Sequence, residues 1–315
     1  MSLLTYCREK LKYNPKIYTK YKGKWDDDIA VTVREVCQDF HKRTELCEYH
    51  VTTQKTPSVL KPVHTGHVII AKGDTFECFR RFNVKHPDLD TTKCMALNFA
   101  NAYGAGGGWE QGHGAQEEML FYRSSYFIPL ELARAAVTNH NKPYLTLQQC
   151  VVTPHVYVWG RFDEGRNVIG TKQNDDSDFI IAMVAAAGPD YRGKKCPSDT
   201  IIRKQTGDLW ETIFKSAMSR HIEHFFIGPI GCGVFVPNTK IQHYKEVAAE
   251  VAAQKIEKYR RYFHSIIFAD FVPSRDYEDP SSNYAIFSEA ITNHVSDVVC
   301  DYCNHYTCAR LEKNK

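Results

Sequence analysis

Residues 94–126 read CMALNFANAYGAGGGWEQGHGAQEEMLFYRSSY. The run 95–99 is short and apolar, as a buried strand is. The chain then passes through Asn101 and three consecutive glycines, Gly106, Gly107 and Gly108, and enters a helix carrying Gln116, Glu117 and Glu118. Consecutive glycines let backbone amides approach a ligand closely and adopt positive φ, so this turn predicts an anion cradle. Two carboxylates at a helix start are favoured by the helix dipole. Because consecutive helical residues point in different directions, the two acids are expected not to share one target. One would act on a bond while its neighbour orients the ligand. A lone glycine cluster followed by a helix is usually an ordinary loop, so the rest of the chain has to decide between the readings.

The chain has 315 residues, 43% of them hydrophobic, enough to bury a large core. A formal net charge of +3 imposes no overall field that would demand nucleic acid. No apolar run approaches the roughly 20 residues of a membrane span. Residues 1–20 are polar and lack a signal-peptide core, so a soluble protein outside the usual export route is expected. The 11 cysteines are odd in number and scattered, several beside apolar residues. That usage suits free thiols in a reducing, intracellular compartment, cytoplasmic or nuclear.

Outward from the central stretch, the pattern alternates strand and helix. Residues 1–24 read as a surface arm, and 26–43 predict a packing helix with Asp26, Asp27 and Asp28 in its first turn. Residues 47–64 read as a loop or extended segment, 67–71 as a buried strand and 75–82 as a helix. Beyond the acids, 130–138 predict a further helical piece, and 150–152 and 155–159 two strands split by Pro154. Residues 179–187 (FIIAMVAAA) predict a central strand, 204–219 an amphipathic helix, 224–230 a strand, 238–262 a long helix and 265–272 the strand that closes the sheet. Such alternation predicts an α/β sandwich with ligands at the carboxyl ends of its strands. The expected organisation is an N-terminal arm and packing helix over 1–64, a catalytic core over 65–291 and a C-terminal tail over 292–315, in one compact domain.

A second glycine-bracketed turn, Gly231-Cys232-Gly233-Val234-Phe235, follows a predicted strand and precedes a helix. It is another natural phosphate clasp, or else an ordinary turn with Phe235 in the core. In the tail, Cys300, Cys303, His305 and Cys308 have the spacing C-x2-C-x-H-x2-C. Structural zinc sites usually draw ligands from two separated clusters, so a helix end with chance cysteines is the favoured reading and no metal is expected.

The 94–126 stretch resembles the signature of the poly(ADP-ribose) glycohydrolase family of macrodomains: a strand ending in F-A-N, then GGG, a seven-residue spacer and QEE. Asn98 to Asn101 (N-F-A-N) also looks like the N-A-A-N of macrodomains generally, and AQEE followed by Arg123, Ser124 and Ser125 looks most like the bacterial-type (microbial) branch. The resemblance implies a macrodomain-like three-layer α/β/α sandwich around a mixed sheet. It implies Glu118 as the catalytic acid, Glu117 on the ribose hydroxyls of the leaving side, and Asn101 on the ribose nearest the scissile bond. It places Gly231, Gly233, Val234 and Phe235 across the diphosphate of ADP-ribose, with Phe235 against the distal ribose. Gln116 would support the acids or cap the helix. No cofactor is implied. Phe99, Tyr191 and Phe271 are candidates for adenine stacking. The sequence departs from the bacterial pattern at Tyr103-Gly104-Ala105, where Asn-Pro is common, and in the bulk of Trp109, Gln111 and His113.

The function so implied is hydrolysis of ribose–ribose O-glycosidic bonds in poly(ADP-ribose), with ADP-ribose released and ADP-ribosylated protein as a partner. The alternatives are a reader module that binds ADP-ribose without cleaving it and a hydrolase of mono-ADP-ribose. Binding alone does not require the double acid.

Overall fold

The computed structural model describes residues 48–55, 62, 64–109, 113–139, 141–158, 160–162, 168–170, 179–271 and 279–300. The predicted helix over 26–43, Gln111 and three of the four tail ligand candidates (Cys303, His305, Cys308) lie outside these residues.

The strands are β1 (His50–Thr53), β2 (His67–Lys72), β3 (Cys94–Phe99), β4 (Gln149–Val158), β5 (Gly160–Phe162), β6 (Val168–Gly170), β7 (Phe179–Ala186), β8 (His224–Ile227), β9 (Ser265–Asp270) and β10 (Val298–Cys300). The α-helices are α1 (Thr75–Lys85), α2 (Gln116–Tyr122), α3 (Phe127–Ala135), α4 (Asp199–Met218), α5 (Ile241–Tyr259) and α6 (Asn283–His294). Eight strands form one sheet in the order β1-β4-β7-β3-β8-β9-β2-β10, and β5 pairs with β6 apart from it. From β7 to β10 every pairing is parallel, while β4 runs antiparallel to both β7 and β1. The sheet is therefore mixed, as expected.

Its two faces are both covered, which explains the nearly continuous apolar runs. Along β3, Cys94 and Ala96 belong to the core shared with α1, α2 and α3, whereas Met95 and Leu97 belong to the core shared with α4, α5 and α6. That two-residue alternation sets the three layers. In α1, Phe76, Phe79 and Phe82 recur at helical spacing and are buried. Each contributes about 1.5–3 kcal/mol of burial free energy. Asp74 caps this helix by accepting from the amides of Phe76 and Glu77.

Several boundaries differ from the sequence expectation. The two strands expected around Pro154 are one strand, β4, whose register against β7 shifts between Thr153 and Val156. The irregularity accommodates the proline's missing N–H. Helix α4 starts at Asp199 after Ser198 as N-cap, one turn earlier than its main apolar stripe suggests. Helix α5 starts only at Ile241, because Lys240 takes a left-handed φ of 52° and keeps 238–240 in the preceding turn. Helix α3 begins earlier than 130, with Pro129 inside its first turn, where a proline's absent donor is harmless. Strand β9 lies between β8 and β2 and closes nothing. The edges are β1, from the segment read as loop or extended chain, and β10, from the expected tail, so the sheet reaches beyond 65–291 at both ends.

Candidate active site

The carboxyl ends of β7, β3, β8, β9 and β2 share one edge of the sheet, and the turns leaving them converge there. Helix α2 has only seven residues and no side-chain cap, and its first turn holds both glutamates. Glu117 is 4% exposed and Glu118 6%. Carboxylates so buried need donors. Glu117 accepts from the Asn101 amide at 2.8 Å, the Gly106 amide at 3.1 Å and Asn98 Nδ2 at 3.3 Å. Glu118 accepts from the Gly108 amide at 2.8 Å through Oε1. Its Oε2 is buried and, among the described residues, has no hydrogen-bond partner.

The glycine turn is thus not the open anion cradle expected. Its amides at 106 and 108 are taken by the glutamates, and that of Gly107 by the Gly104 carbonyl at 3.1 Å. The two acids have separate donors, Glu117 those of Asn98, Asn101 and Gly106 and Glu118 that of Gly108. The turn wraps around the start of α2 so that successive side chains meet successive amides. At Gly107, φ is +57°, and a Cβ there would lie 2.5 Å from Glu118 Oε1 and 3.2 Å from Glu117 Oε2. Only glycine fits between these acids. Burial raises Glu117 to about 8, against the Asn101, Asn98 and Gly106 N–H donors that hold it down.

Asn101 uses its Oδ1 to accept from the amides of Tyr103 and Gly104, which fixes the turn after β3. Gln116 neither caps α2 nor touches the acids. Its side-chain oxygen accepts from the Phe99 amide at 2.9 Å and its Nε2 donates to the Leu97 carbonyl at 2.8 Å, fastening the helix start to β3.

The second turn is built differently from the first. Gly231 has φ +80° and packs against Gly188 beyond β7, where a Cβ on Gly188 would come within 2.9 Å of Gly231 Cα. Gly233 and Val234 are exposed. Among the described residues the amides of Gly233, Val234 and Phe235 donate to no protein acceptor. These three successive amides are left open to an outside acceptor. Phe235 is half-buried beneath the Arg192 guanidinium, 4.7 Å from its ring centre.

A cavity of about 490 Å³ adjoins the start of α2 and is lined by Gly73, Asp74, Phe99, Gln116, Asp270 and Phe271 among others. Of the three aromatic candidates it contains Phe99 and Phe271. Tyr191 instead packs edge-on against Tyr244 and hydrogen-bonds Gln205. Burial lifts Asp270 to about 7, opposed by Lys245.

Two supporting residues escaped the sequence reading. Asn98 is fully buried in β3 and holds Glu117, and the signal was a lone amide in an apolar strand. Arg123, 1% exposed, ties the end of α2 to α1, donating from Nη2 to Asp74 at 2.6 Å and from Nε to the Met119 carbonyl at 3.1 Å. Among the described residues no group of three or more His, Cys, Asp or Glu is placed to hold a metal, and no helix is long and apolar enough to cross a membrane.

A three-layer α/β/α sandwich with its functional turns gathered at one sheet edge defines a macrodomain-like protein. Among solved structures, the poly(ADP-ribose) glycohydrolase (PARG) of Thermomonospora curvata superposes with a TM-score of 0.62 at 18% identity, covering 83% of this chain and 97% of that one. The same enzyme bound to the inhibitor ADP-HPD gives 0.61 at 19%, again covering 83% and 97%. The PARG of Deinococcus radiodurans in complex with ADP-ribose gives 0.57 at 16%, covering 79% and 96%. At these identities the likeness establishes the fold. No curated protein matches the sequence. Residues 14–161 match the family described as microbial-type PARG, catalytic domain, a segment that contains the entire 94–126 stretch.

Proposed function

We propose that this protein is a glycosidase that hydrolyses the ribose–ribose O-glycosidic bonds of poly(ADP-ribose) and releases ADP-ribose. The observation that carries the reading is the asymmetry of the buried acid pair. Glu117 is held at both oxygens, whereas Glu118 is fixed by Gly108 at one oxygen and leaves Oε2 without a protein partner. Glu117 is built to orient and Glu118 to exchange a proton.

In the forward step Glu118 gives its proton to the departing ribose oxygen as the C1–O bond breaks, leaving an oxocarbenium-like sugar. Water then adds to C1, and Glu118, now ionised, takes the proton back. One water is consumed and the acid is regenerated. Two adjacent acids on one side of the bond cannot flank it as an opposed carboxylate pair does, so a single residue performs both proton transfers. The open amides of Gly233, Val234 and Phe235 receive the diphosphate, Phe235 packs against the distal ribose, and adenine enters the cavity beside Phe99 and Phe271. Asn101 and Glu117 orient ribose hydroxyls, the latter after a rearrangement of its present hydrogen bonds. The free thiols of Cys94, Cys150, Cys196 and Cys232 support action in a reducing compartment, cytoplasmic or nuclear, on ADP-ribosylated proteins.

The test is incubation of the purified chain with poly(ADP-ribose) and, separately, with a mono-ADP-ribosylated protein, products being resolved by chromatography beside Glu118→Gln. Free ADP-ribose from polymer, absent with the variant, is the expected result. Intact polymer with bound ADP-ribose would make the protein a reader, and release from the mono-modified substrate alone would narrow the enzyme to that linkage.

A further inference from the structure

Beyond the second glycine turn lies a loop that the reaction does not use. Residues 190–195, Asp-Tyr-Arg-Gly-Lys-Lys, leave the end of the β7 turn and dock along the segment that follows Phe235. The Tyr191 amide donates to the Phe235 carbonyl at 2.9 Å, and the Asn238 amide to the Lys194 carbonyl at 2.9 Å. The Gly193 amide donates to Asn238 Oδ1 at 3.0 Å and the Cys196 amide to Thr239 Oγ1 at 3.1 Å. A loop held at both ends in this way is a fixed platform rather than a trailing surface segment. Gly193, with φ +71°, makes the bend that the platform needs.

What it presents is positive. Arg192, Lys194 and Lys195 are all exposed, and Lys240 stands beside the same segment. Asp190 is the one carboxylate of the loop, and it is spent on Arg192 through a bidentate pair with Nη2–Oδ2 at 2.6 Å. Asp199, the next acid along the chain, is paired with His243. Lys194 donates to the Asp190 carbonyl at 3.0 Å, which positions the ammonium without cancelling its charge. Arg192 meanwhile lies over Phe235. Basic platform and ribose-binding aromatic are therefore in direct contact.

We propose that the 190–195 loop is a second anion subsite that receives the diphosphate of the polymer unit beyond the scissile bond. The inference rests on the polymer-hydrolase reading above and extends it to substrate length. A single ADP-ribose fills the turn and cavity already described. A chain continuing past Phe235 must carry its next two phosphates somewhere, and among the described residues Lys194 and Lys195 of the adjoining loop enter no ion pair. Contacts of this kind bind through counterion release and so are salt-dependent and blind to base identity.

The test uses the full chain with Glu118→Gln, so that substrate is bound without turnover, and compares it with the same chain bearing Lys194→Ala and Lys195→Ala as well. Probes are labelled poly(ADP-ribose) of fixed length and free ADP-ribose, titrated between roughly 50 and 200 mM salt. The lysine variant is expected to bind polymer about tenfold more weakly, with a log–log salt slope shallower by about 1 to 2, and to bind free ADP-ribose as before. Lys→Arg at both positions should restore polymer affinity. Equal weakening toward both probes, or no weakening toward polymer, would overturn the subsite. So would an equal loss on polyadenylate RNA of matched charge, which would make the loop a general polyanion strip. If the parent binds ADP-ribose but polymer no more tightly, the subsite fails while the hydrolase reading stands. If it binds neither, it is the hydrolase reading that fails.

Discussion

The backbone of Gly107 passes so close to Glu118 that a Cβ on residue 107 would lie 2.5 Å from the carboxylate Oε1. The glycine is therefore packed against the acid as well as being a turn. Gly107→Ala should cost roughly 1–2 kcal/mol of stability from its left-handed φ alone. It should lower turnover by at least about a hundredfold, because the methyl group displaces the acid. Thermal unfolding and turnover measured on the same preparation separate the two effects. Activity reduced only in proportion to folded protein would contradict this role.

The two acids should respond differently to loss of charge. Glu118→Gln is expected to reduce hydrolysis by about 10²–10⁴-fold, with ADP-ribose affinity changed only a few fold, since the amide keeps the size and cannot give the proton. Glu117→Gln should also destabilise the fold. Its new NH2 must face one of the N–H donors of Asn98, Asn101 or Gly106, at a cost of about 1–3 kcal/mol. Denaturant midpoints for both variants check this.

Buried carboxyls and a buried histidine should make opposed contributions to the pH dependence of stability, the two carboxyls outweighing the one histidine. Glu117 and Asp270 are raised by burial to about 8 and about 7. Unfolded, both lose their protons near pH 4, so the native state binds more protons between there and about pH 8, and stability declines as pH rises through that window. His224 acts from the other side. Burial, with His264, lowers it to about 4, so the unfolded state binds more protons below about pH 6.5 and stability falls as pH drops toward 4. Unfolding midpoints should decline less steeply with rising pH in Asp270→Asn, Glu117 still contributing, and more steeply between about pH 4 and 6.5 in His224→Gln, which lacks the opposing histidine.

Arg123 is buried against Asp74, which also caps α1. Arg123→Met leaves that carboxylate without its cation and should cost about 3–5 kcal/mol by chemical denaturation. A neutral result would mean that Asp74 is held by its two amide donors alone.

Among the aromatic residues, Phe271 is 48% exposed and lines the cavity. Phe271→Ala should weaken ADP-ribose binding by about tenfold through lost stacking, with little change in stability. Tyr191→Phe should leave binding unchanged. The reverse order in a calorimetric titration would move the adenine to the Tyr191 side.

The central stretch was legible because its physics is local. An apolar run, glycines and acids at a helix start each constrain their own neighbourhood, and so strand, turn and helix followed in the expected order. The alternation of β7, α4, β8, α5 and β9 was readable for the same reason, through periodicity. Boundaries set by one residue's backbone were less so. Lys240 in the left-handed region delays α5, and Pro154 hides in a register shift, neither of which changes the apolar pattern. The edge strands His50–Thr53 and Val298–Cys300 were missed because short strands gain their stability from partners far away in the chain.

The sequence by itself determined the α/β class and the strand, turn and helix that carry the two acids, since apolar periodicity and glycine placement are properties of the chain, while the three layers and the mixed sheet were implied by the resemblance. Only the tertiary structure decided how those residues divide the work. It turned the amides of Gly106 and Gly108 onto the glutamates and left those of Gly233, Val234 and Phe235 open. It also brought Asn98 and Arg123 to their support. Hydrogen-bond partners are chosen among groups that folding brings together, and two buried carboxylates take whichever donors are nearest.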